Sequence, residues 1–595
     1  MGIVTGKDVA KSINLKGLGW AGTFIGHTLM HLTQMSKINH IYDKHSHLEG
    51  VAFIDAVLVD LGINFEVPEK DLKRIPQKGA FVTVSNHPLG GIDGLLLLKL
   101  MLQHRSDLKV MANFLLQRIQ PISDLILPVN PFEDRKEIRS SSTGIKNSLR
   151  HTADGHPLGI FPAGEVSTIR SGNQYVDKPW STDAMRMVRK MNIPVVPVYF
   201  HARNSKAFYR IAKISDTFRT AKLPSELFTQ KYRKIRVRIG QPINVNDQNE
   251  QESIEAYTEF IRKKTYMLAS GFERKRWINQ IPSSIKIPRS PKNVVKESEK
   301  EKIKAEIETC RNTDKRFFIS NNFEVFLAHS KTIPVILREI GRLREITFRL
   351  VGEGTNKSID LDKYDYLYHH LFLWDNKNER LVGAYRMGLG QEIFPKHGMS
   401  GFYLNELFRF EAEAHRIMKE TIEMGRAFIS KEYQQKPMPL FLLWRGIVHC
   451  TIRYPEHKYL MGGVSISNQF SNFSKSLMIE FMKSNYYDPF LAQYIRPKKE
   501  FKVKLKDEDK DFFFDAGKAN LNKFDKLIDE IEPNNLRMPV LLKKYVKQNA
   551  KVIAFNVDPL FNNAVDGLMY IKIKDLPAST VNPVLEELQK ELENK

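Results

Sequence analysis

The chain has 595 residues, 42% of them hydrophobic and 27% charged, and Lys plus Arg exceed Asp plus Glu by 91 to 68, a formal net charge of +23. That length is too great for one hydrophobic core and predicts two or three domains of a folded globular protein. The only two cysteines, Cys310 and Cys450, exclude a disulfide framework and a Cys-based zinc site, and they fit a reducing compartment. Such an excess of positive charge needs a partner: anionic headgroups, an acidic carrier protein or a phosphate backbone. The basic residues are spread along the whole chain, and no zinc-finger, RNP or basic-zipper pattern occurs. Docking on a surface is therefore expected, and nucleic acid is not.

Residues 17–35, with Trp20, Phe24, Ile25, Leu29, Met30 and Leu32, read either as an interfacial helix or as a helix packed on the first domain. No apolar run reaches the length of a membrane span; His27 and His31, Lys99 and Arg445 interrupt the best candidates. No secretory signal is expected, which places the protein in the cytoplasm, peripheral on the inner face of its membrane. His27 and His31 have helical metal spacing without a third ligand, so they are read as packing residues and no metal is expected. Short apolar strands at 80–85, 158–161, 193–200 and 235–239 alternate with helical stretches, the rhythm of an α/β domain.

The first of these strands runs into Asn86-His87-Pro88-Leu89-Gly90-Gly91-Ile92-Asp93-Gly94, followed by the apolar helix 95–102. A polar, Gly-rich turn between rigid elements holds side chains well for chemistry. His87 would take a proton from a hydroxyl while Asp93 orients the imidazole and stabilises the imidazolium; a His-Pro turn with a helix-capping Asp is the plainer reading. The strand at 158–161 ends in Phe161-Pro162-Ala163-Gly164-Glu165, and 193–198 reads Ile-Pro-Val-Val-Pro-Val. In this order the three segments resemble the glycerolipid acyltransferase family over residues 40–245. The resemblance implies His87 as base, Asp93 as its support, an acyl thioester as donor, and substrate-binding positions at Asn86, Arg135, Pro162, Gly164 and Glu165. Five residues separate His87 from Asp93 where that family has four, and Ala163 stands where it has Glu.

A proline- and serine-rich stretch passing into mixed charge, 281–306, reads as a linker between domains at 1–280 and 307–595. Beyond it come strands near 371–375, 381–387 and 552–555, a buried helix at 439–452, and a last helix opening at Asn582-Pro583. His369 and His370 before a strand are read as structural. No phosphate-binding loop or dinucleotide fingerprint occurs, so no cofactor is expected beyond the acyl donor. The clusters Arg344/Phe348, Asp362/Asp365, Arg386, Glu423/Arg426 and Trp444-Arg445-Gly446 would each pass as solvated or paired charges. Together, over 315–575, they resemble GNAT-like N-acyltransferases that use acyl carrier protein thioesters.

That likeness implies Glu423 as general base with Arg426 beside it, and Asp362, Asp365 and Arg386 around the acceptor. It puts Arg344 and Phe348 on a mobile N-terminal part, and Arg445 near the donor's phosphate. The expected fold class is thus α/β: an N-terminal glycerolipid acyltransferase domain followed by a GNAT-like mixed α/β domain. The whole chain resembles bifunctional ornithine-lipid synthases, often described as hemolysin-like. The resemblance implies N-acylation of an amino acid, ornithine before glycine, with a 3-hydroxyacyl thioester, then O-acylation of the lyso-aminolipid's hydroxyl. The donor would be carried by acyl carrier protein or coenzyme A, at an anionic membrane surface. The alternatives are a lysophospholipid acyltransferase with a GNAT-like domain of unknown acceptor, or a non-enzymatic membrane-binding protein.

Overall fold

A computed structural model describes residues 33–129, 138–170, 174–212, 216–231, 233–272, 291–505, 520–534 and 536–593. Residues 17–32 and Arg135 lie outside them. The chain forms two compact units: 1–273 with 529–536, and 274–528 with 537–595.

The first unit is built on Asn64–Glu66 (β1), Val82–Ser85 (β2), Lys109–Asn113 (β3), Ile126–Val129 (β4), Leu158–Ile160 (β5), Val195–His201 and Lys234–Ile239. A separate hairpin, Thr168–Arg170 (β6) with Gln174–Val176 (β7), precedes the last two of these, which are β8 and β9. The sheet runs β1-β9-β8-β2-β5-β3-β4, and every pairing is parallel except β8 with β9. Parallel strands need cover on both faces, which is why β8 is almost continuously apolar and all four residues of β2 are buried. One face packs on Gly50–Asp60 (α1) and Gly91–Leu102 (α2), whose Leu96, Leu97 and Leu100 are buried; the other packs on Thr182–Met191 (α3) and Ile254–Tyr266 (α4). Because β2, β5 and β8 run parallel side by side, the segments after them emerge at one sheet edge.

Residues 529–536 complete this unit from far along the chain. Arg238, fully buried on β9, pairs through Nε with Asp71 at 2.6 Å and donates from its other nitrogens to the carbonyls of Ile531 (2.8 Å) and Glu530 (3.0 Å). Arg74 donates to the Asp529 carbonyl at 3.2 Å and Lys70 to that of Asn534 at 3.0 Å. Carbonyls at a helix C-terminus lack internal donors, and these cations supply them. A product ending at residue 280 keeps the buried cations and loses their acceptors, at a cost of roughly 2–5 kcal/mol. It is therefore expected to melt well below the corresponding transition of the full chain in calorimetry; equal melting would contradict this.

The second unit includes Lys300–Asn312 (α5), which crosses the boundary expected at 307. Residues before it already belong here: Val295 N–H donates to the Ser358 carbonyl at 3.0 Å and Ser298 N–H to Glu339 at 3.0 Å. Its sheet contains Arg316–Ser320 (β10), Phe323–His329 (β11), His369–Asp375 (β12) and Arg380–Leu389 (β13). Phe408–Phe410 (β14) pairs elsewhere, then Thr421–Ile429 (β15) and Tyr459–Ile466 (β16) continue the sheet. Ile495–Pro497 (β17) pairs with β14, and Lys551–Asp558 (β18) and Ala564–Lys572 (β19) close the order β10-β11-β12-β13-β15-β16-β19-β18.

Alternate residues point to opposite faces. Phe326 and Phe372 bury against α5 and Pro334–Leu350 (α6), while Val325 and Leu371 meet Gly446 of Pro437–Arg453 (α7). All pairings are antiparallel except β15 with β16, which are in register only from Thr421 to Met424 against Tyr459 to Gly462. Beyond that point no pairing joins the two strands among the described residues, so their facing edges are unpaired beyond Met424, one residue past Glu423. Gly462 permits the close approach at the last of these pairs, since a Cβ there would lie 2.4 Å from the Met424 carbonyl oxygen. The last helix, Ala578–Glu593, begins before the expected Asn582-Pro583 and carries Pro583 inside it; its first turn closes on the Pro577 carbonyl.

Two candidate active sites

In the first unit, β2 delivers Asn86 and His87 to the shared sheet edge. The Asn86 amide is spent on β8: it donates to the Phe200 carbonyl at 3.1 Å and accepts the Phe200 N–H at 2.7 Å. Asn86 is therefore a pin that fixes where His87 begins, not a substrate contact as its motif suggests. His87 Nδ1 lies 3.1 Å from Asp93 Oδ2, and the ring stacks on Phe161, the first residue after β5, at 4.4 Å between centroids. The partly exposed imidazole leaves Nε2 without a protein partner among the described residues, so that nitrogen is available to a substrate hydroxyl.

Asp93 is fully buried on the first turn of α2, and the same oxygen accepts the N–H groups of Leu89 (2.7 Å) and Gly90 (3.0 Å). Burial pushes its carboxyl up, opposed by His87 and by those amides. Between His87 and Asp93 the turn passes through Gly90, whose φ of +82° is open to glycine and strained for other residues.

The Phe161–Glu165 turn lies alongside. Pro162 is buried, with its carbonyl accepting Ser181 N–H at 2.9 Å, and Gly164 is exposed at φ +67°. Glu165 is held between Lys178 and the largely buried Arg219. Its charge is thereby committed to two cations, which corrects its expected place as a free acceptor-binding carboxylate.

In the second unit the structure brings most of the expected residues to one place. Glu423, buried on β15, accepts from the Tyr368 hydroxyl at 2.9 Å and from Leu404 N–H at 3.2 Å. Burial pushes its carboxyl up to about 7, with Arg386 and Tyr368 pulling the other way. A carboxylate titrating there is poised to take a proton from an ammonium. Arg386 on β13 donates to Asp362 at 2.8 Å; its Nε and Nη2 have no hydrogen-bond partner among the described residues, and the rings of Tyr364, Tyr368 and Tyr403 lie 5.1–5.7 Å from its guanidinium carbon. Arg426, at φ +52°, sits 4.1 Å from the Phe561 ring centre and 3.5 Å from Asp362, and Phe348 meets Phe561 edge-on.

Two expectations are corrected here. Arg344 is not on a mobile part: it is fully buried in α6, bonded to Asp360 at 3.0 Å and Asp365 at 2.7 Å. Burial opposes charge on all of these groups, yet Arg344 and Arg386 together hold the Asp365 carboxyl far below the usual range. This pair braces the site instead of touching a ligand. Arg445 lies eight residues inside α7, ion-paired with Glu587 and 4.1 Å from the Phe318 ring centre, away from any helix N-terminus.

Sequence reasoning missed Tyr368, Tyr403, Asp360 and a group of carboxyls near Arg426. In that group burial and mutual repulsion push Glu353 and Asp566 up to about 7, and Asp558 accepts from the Tyr403 hydroxyl at 3.3 Å. The aromatic run Tyr364-x-Tyr366-x-Tyr368 beside two Asp residues was the available signal. Among the described residues no group of three or more His, Cys, Asp or Glu is placed to hold a metal, and no helix is long and apolar enough to cross a membrane.

Residues 9–274 match the family model described as acyltransferase, and residues 343–444 the one described as acetyltransferase (GNAT) domain. The glycine N(alpha)-acyltransferase of Bacteroides thetaiotaomicron is 32% identical over 208 residues, 33% of this chain and 60% of that protein. The lyso-glycine lipid O-acyltransferase of Phocaeicola vulgatus is 26% identical over 252 residues, 41% of this chain and 88% of that protein. The 1-acyl-sn-glycerophosphate (LPA) acyltransferase structure from Thermotoga maritima aligns at 14% identity over 41% of this chain and 86% of that one, with a TM-score of 0.25, too low to bear on the fold. The chain spans about 60% of the length of the curated glycine N-acyltransferases it matches. It carries an acyltransferase domain followed by a GNAT domain, in the order its motifs suggest.

Proposed function

We propose that the chain makes a di-acylated aminolipid in two steps, the second unit acylating an amine and the first acylating a hydroxyl. The observation that carries this reading is a pair of separate acid–base centres, His87–Asp93 and Glu423–Tyr368, each on its own sheet. At the second centre Glu423 takes the proton that an ammonium must lose before its nitrogen attacks a thioester carbonyl. The thioester sulfur leaves with the carrier, and an amide remains. Past Met424 and Gly462 the facing edges of β15 and β16 are unpaired and would take the donor's pantetheine arm. If the acyl group carries a 3-hydroxyl, that hydroxyl becomes the acceptor at the first centre. There His87 removes its proton as the oxygen attacks a second thioester, and Asp93 steadies the imidazolium.

Glycine is the acceptor we favour, because relatives of both halves are named for glycine and for lyso-glycine lipid. Ornithine has one observation on its side: Glu353, Asp558 and Asp566 next to Arg426 would hold a second ammonium. Acyl carrier protein, or coenzyme A, would bring the donor. The net charge of +23 suits both an acidic carrier and an anionic inner membrane face on which a peripheral enzyme would work. Purified protein given 3-hydroxyacyl carrier protein with glycine or ornithine tests this by product mass. An N-acylglycine is expected, an N-acylornithine would change the acceptor, and no N-acyl product with either would overturn the reading.

A further inference from the structure

The backbone of the His87 turn is held from several sides at once. Asp93 takes the N–H groups of Leu89 and Gly90, and Asn204 Nδ2 donates to the Pro88 carbonyl at 3.0 Å. The peptide of His87 itself is held by neither. Its carbonyl accepts Ser167 N–H at 2.8 Å, and its N–H donates to Asp177 Oδ1 at 3.2 Å. Asp177 follows β7, ninety residues beyond His87, and is fully buried. The same Oδ1 accepts the Ser167 hydroxyl at 2.5 Å, Oδ2 accepts the Trp180 indole N–H at 3.2 Å, and the Asp177 N–H donates to the Tyr266 hydroxyl at 3.0 Å.

A buried carboxylate is costly unless its oxygens are satisfied. Here one oxygen is held by Trp180, while the other joins Ser167, just before β6, to the peptide that carries the base. We propose that Asp177 is a positioning residue for O-acyl transfer, clamping the His87 peptide so that Nε2 meets the acceptor hydroxyl in line. This rests on His87 being the base. Asp177 touches no ring atom of His87, so it acts on where the imidazole is, a role distinct from that of Asp93. Misplacing a catalytic group by about 1 Å costs roughly 100-fold in rate.

The test is steady-state O-acylation by the purified full chain, with N-(3-hydroxyacyl)glycine as acceptor and a long-chain acyl carrier protein thioester as donor. Asp177→Ala is expected to lower kcat roughly 100-fold with KM within about threefold. Asp177→Asn keeps an oxygen for the His87 N–H and is expected to recover to within about fivefold of the parent kcat. Trp180→Phe frees only the distal oxygen, so it should lower Tm while leaving kcat within about threefold. Folded Asp177→Ala with parent kcat, or Trp180→Phe matching its kcat loss, would overturn the proposal and leave Asp177 a hairpin fastener. Should Asp177→Ala fail to fold, Asp177→Glu keeps the charge and shifts the acceptor by one methylene; a roughly tenfold loss of kcat supports the clamp and an unchanged kcat overturns it. His87→Ala separates the two ideas: full O-acylation without His87 removes the underlying reading, whereas loss there with none at Asp177 removes only the clamp.

Discussion

Replacing His87 with alanine is expected to slow O-acylation by about 10²–10⁴-fold while leaving N-acylation intact. The ring sits two residues past the end of β2, with Nδ1 tied to Asp93 at 3.1 Å and Nε2 without a partner among the described residues. Without the imidazole, the acceptor alcohol would have to attack carrying its proton. KM for the acceptor should change little, since the loss lies in a transition-state interaction. Asp93→Asn should fall in the same direction, because a carboxamide no longer stabilises the imidazolium. It also disturbs the Leu89 and Gly90 amides that Asp93 holds, so some loss of Tm accompanies it. Separate assays of the two half-reactions on one preparation check this.

Glu423→Gln is expected to have the converse effect, lowering N-acylation by about 10²–10⁴-fold with O-acylation of supplied N-acyl substrate unchanged. The parent N-acylation rate should rise with pH through about 7, where the buried carboxyl loses its proton, and the residual rate of the variant should lack that step. Stability moves the other way. The folded-state pKa is raised above the ordinary Glu value, so whatever the protonated carboxyl contributes is fully present below the unfolded pKa. It is lost as pH rises through about 7. The variant mimics the protonated form and should therefore melt higher than the parent at pH 8, with little difference at pH 4. A flat pH profile in the parent would assign the base elsewhere.

What was legible beforehand divides along physical lines. The strands at 80–85, 158–161, 193–200 and 235–239 stood out as short runs rich in Val, Ile and Phe, and each is found within a residue or two of its place. That His87 and Asp93 would lie together after β2 was legible because one short Gly-rich turn carries both, whereas Glu423 was singled out only by a resemblance spread over distant clusters. The partners that satisfy buried charge were not legible. Nothing local in Arg344 distinguishes a ligand-binding arginine from one bonded to Asp360 and Asp365, and nothing in Asn86 reveals that β8, more than a hundred residues away, takes both ends of its amide. Asp177 and the 529–536 segment were invisible for the same reason, since each is defined by a contact across long sequence separation. Pro583 misled because proline prefers the first helical turn, whereas the Pro577 carbonyl had already closed that turn.

The most direct test of a two-site aminolipid synthase is mass spectrometry of lipid extracts from bacteria making the intact chain, His87→Ala or Glu423→Gln. A new di-acylated aminolipid is expected from the intact chain, accumulation of its mono-acyl form with His87→Ala, and neither lipid with Glu423→Gln. A di-acyl product that persists in both variants, or no aminolipid from the intact chain in a host that supplies 3-hydroxyacyl carrier protein and the amino acid, would contradict this expectation.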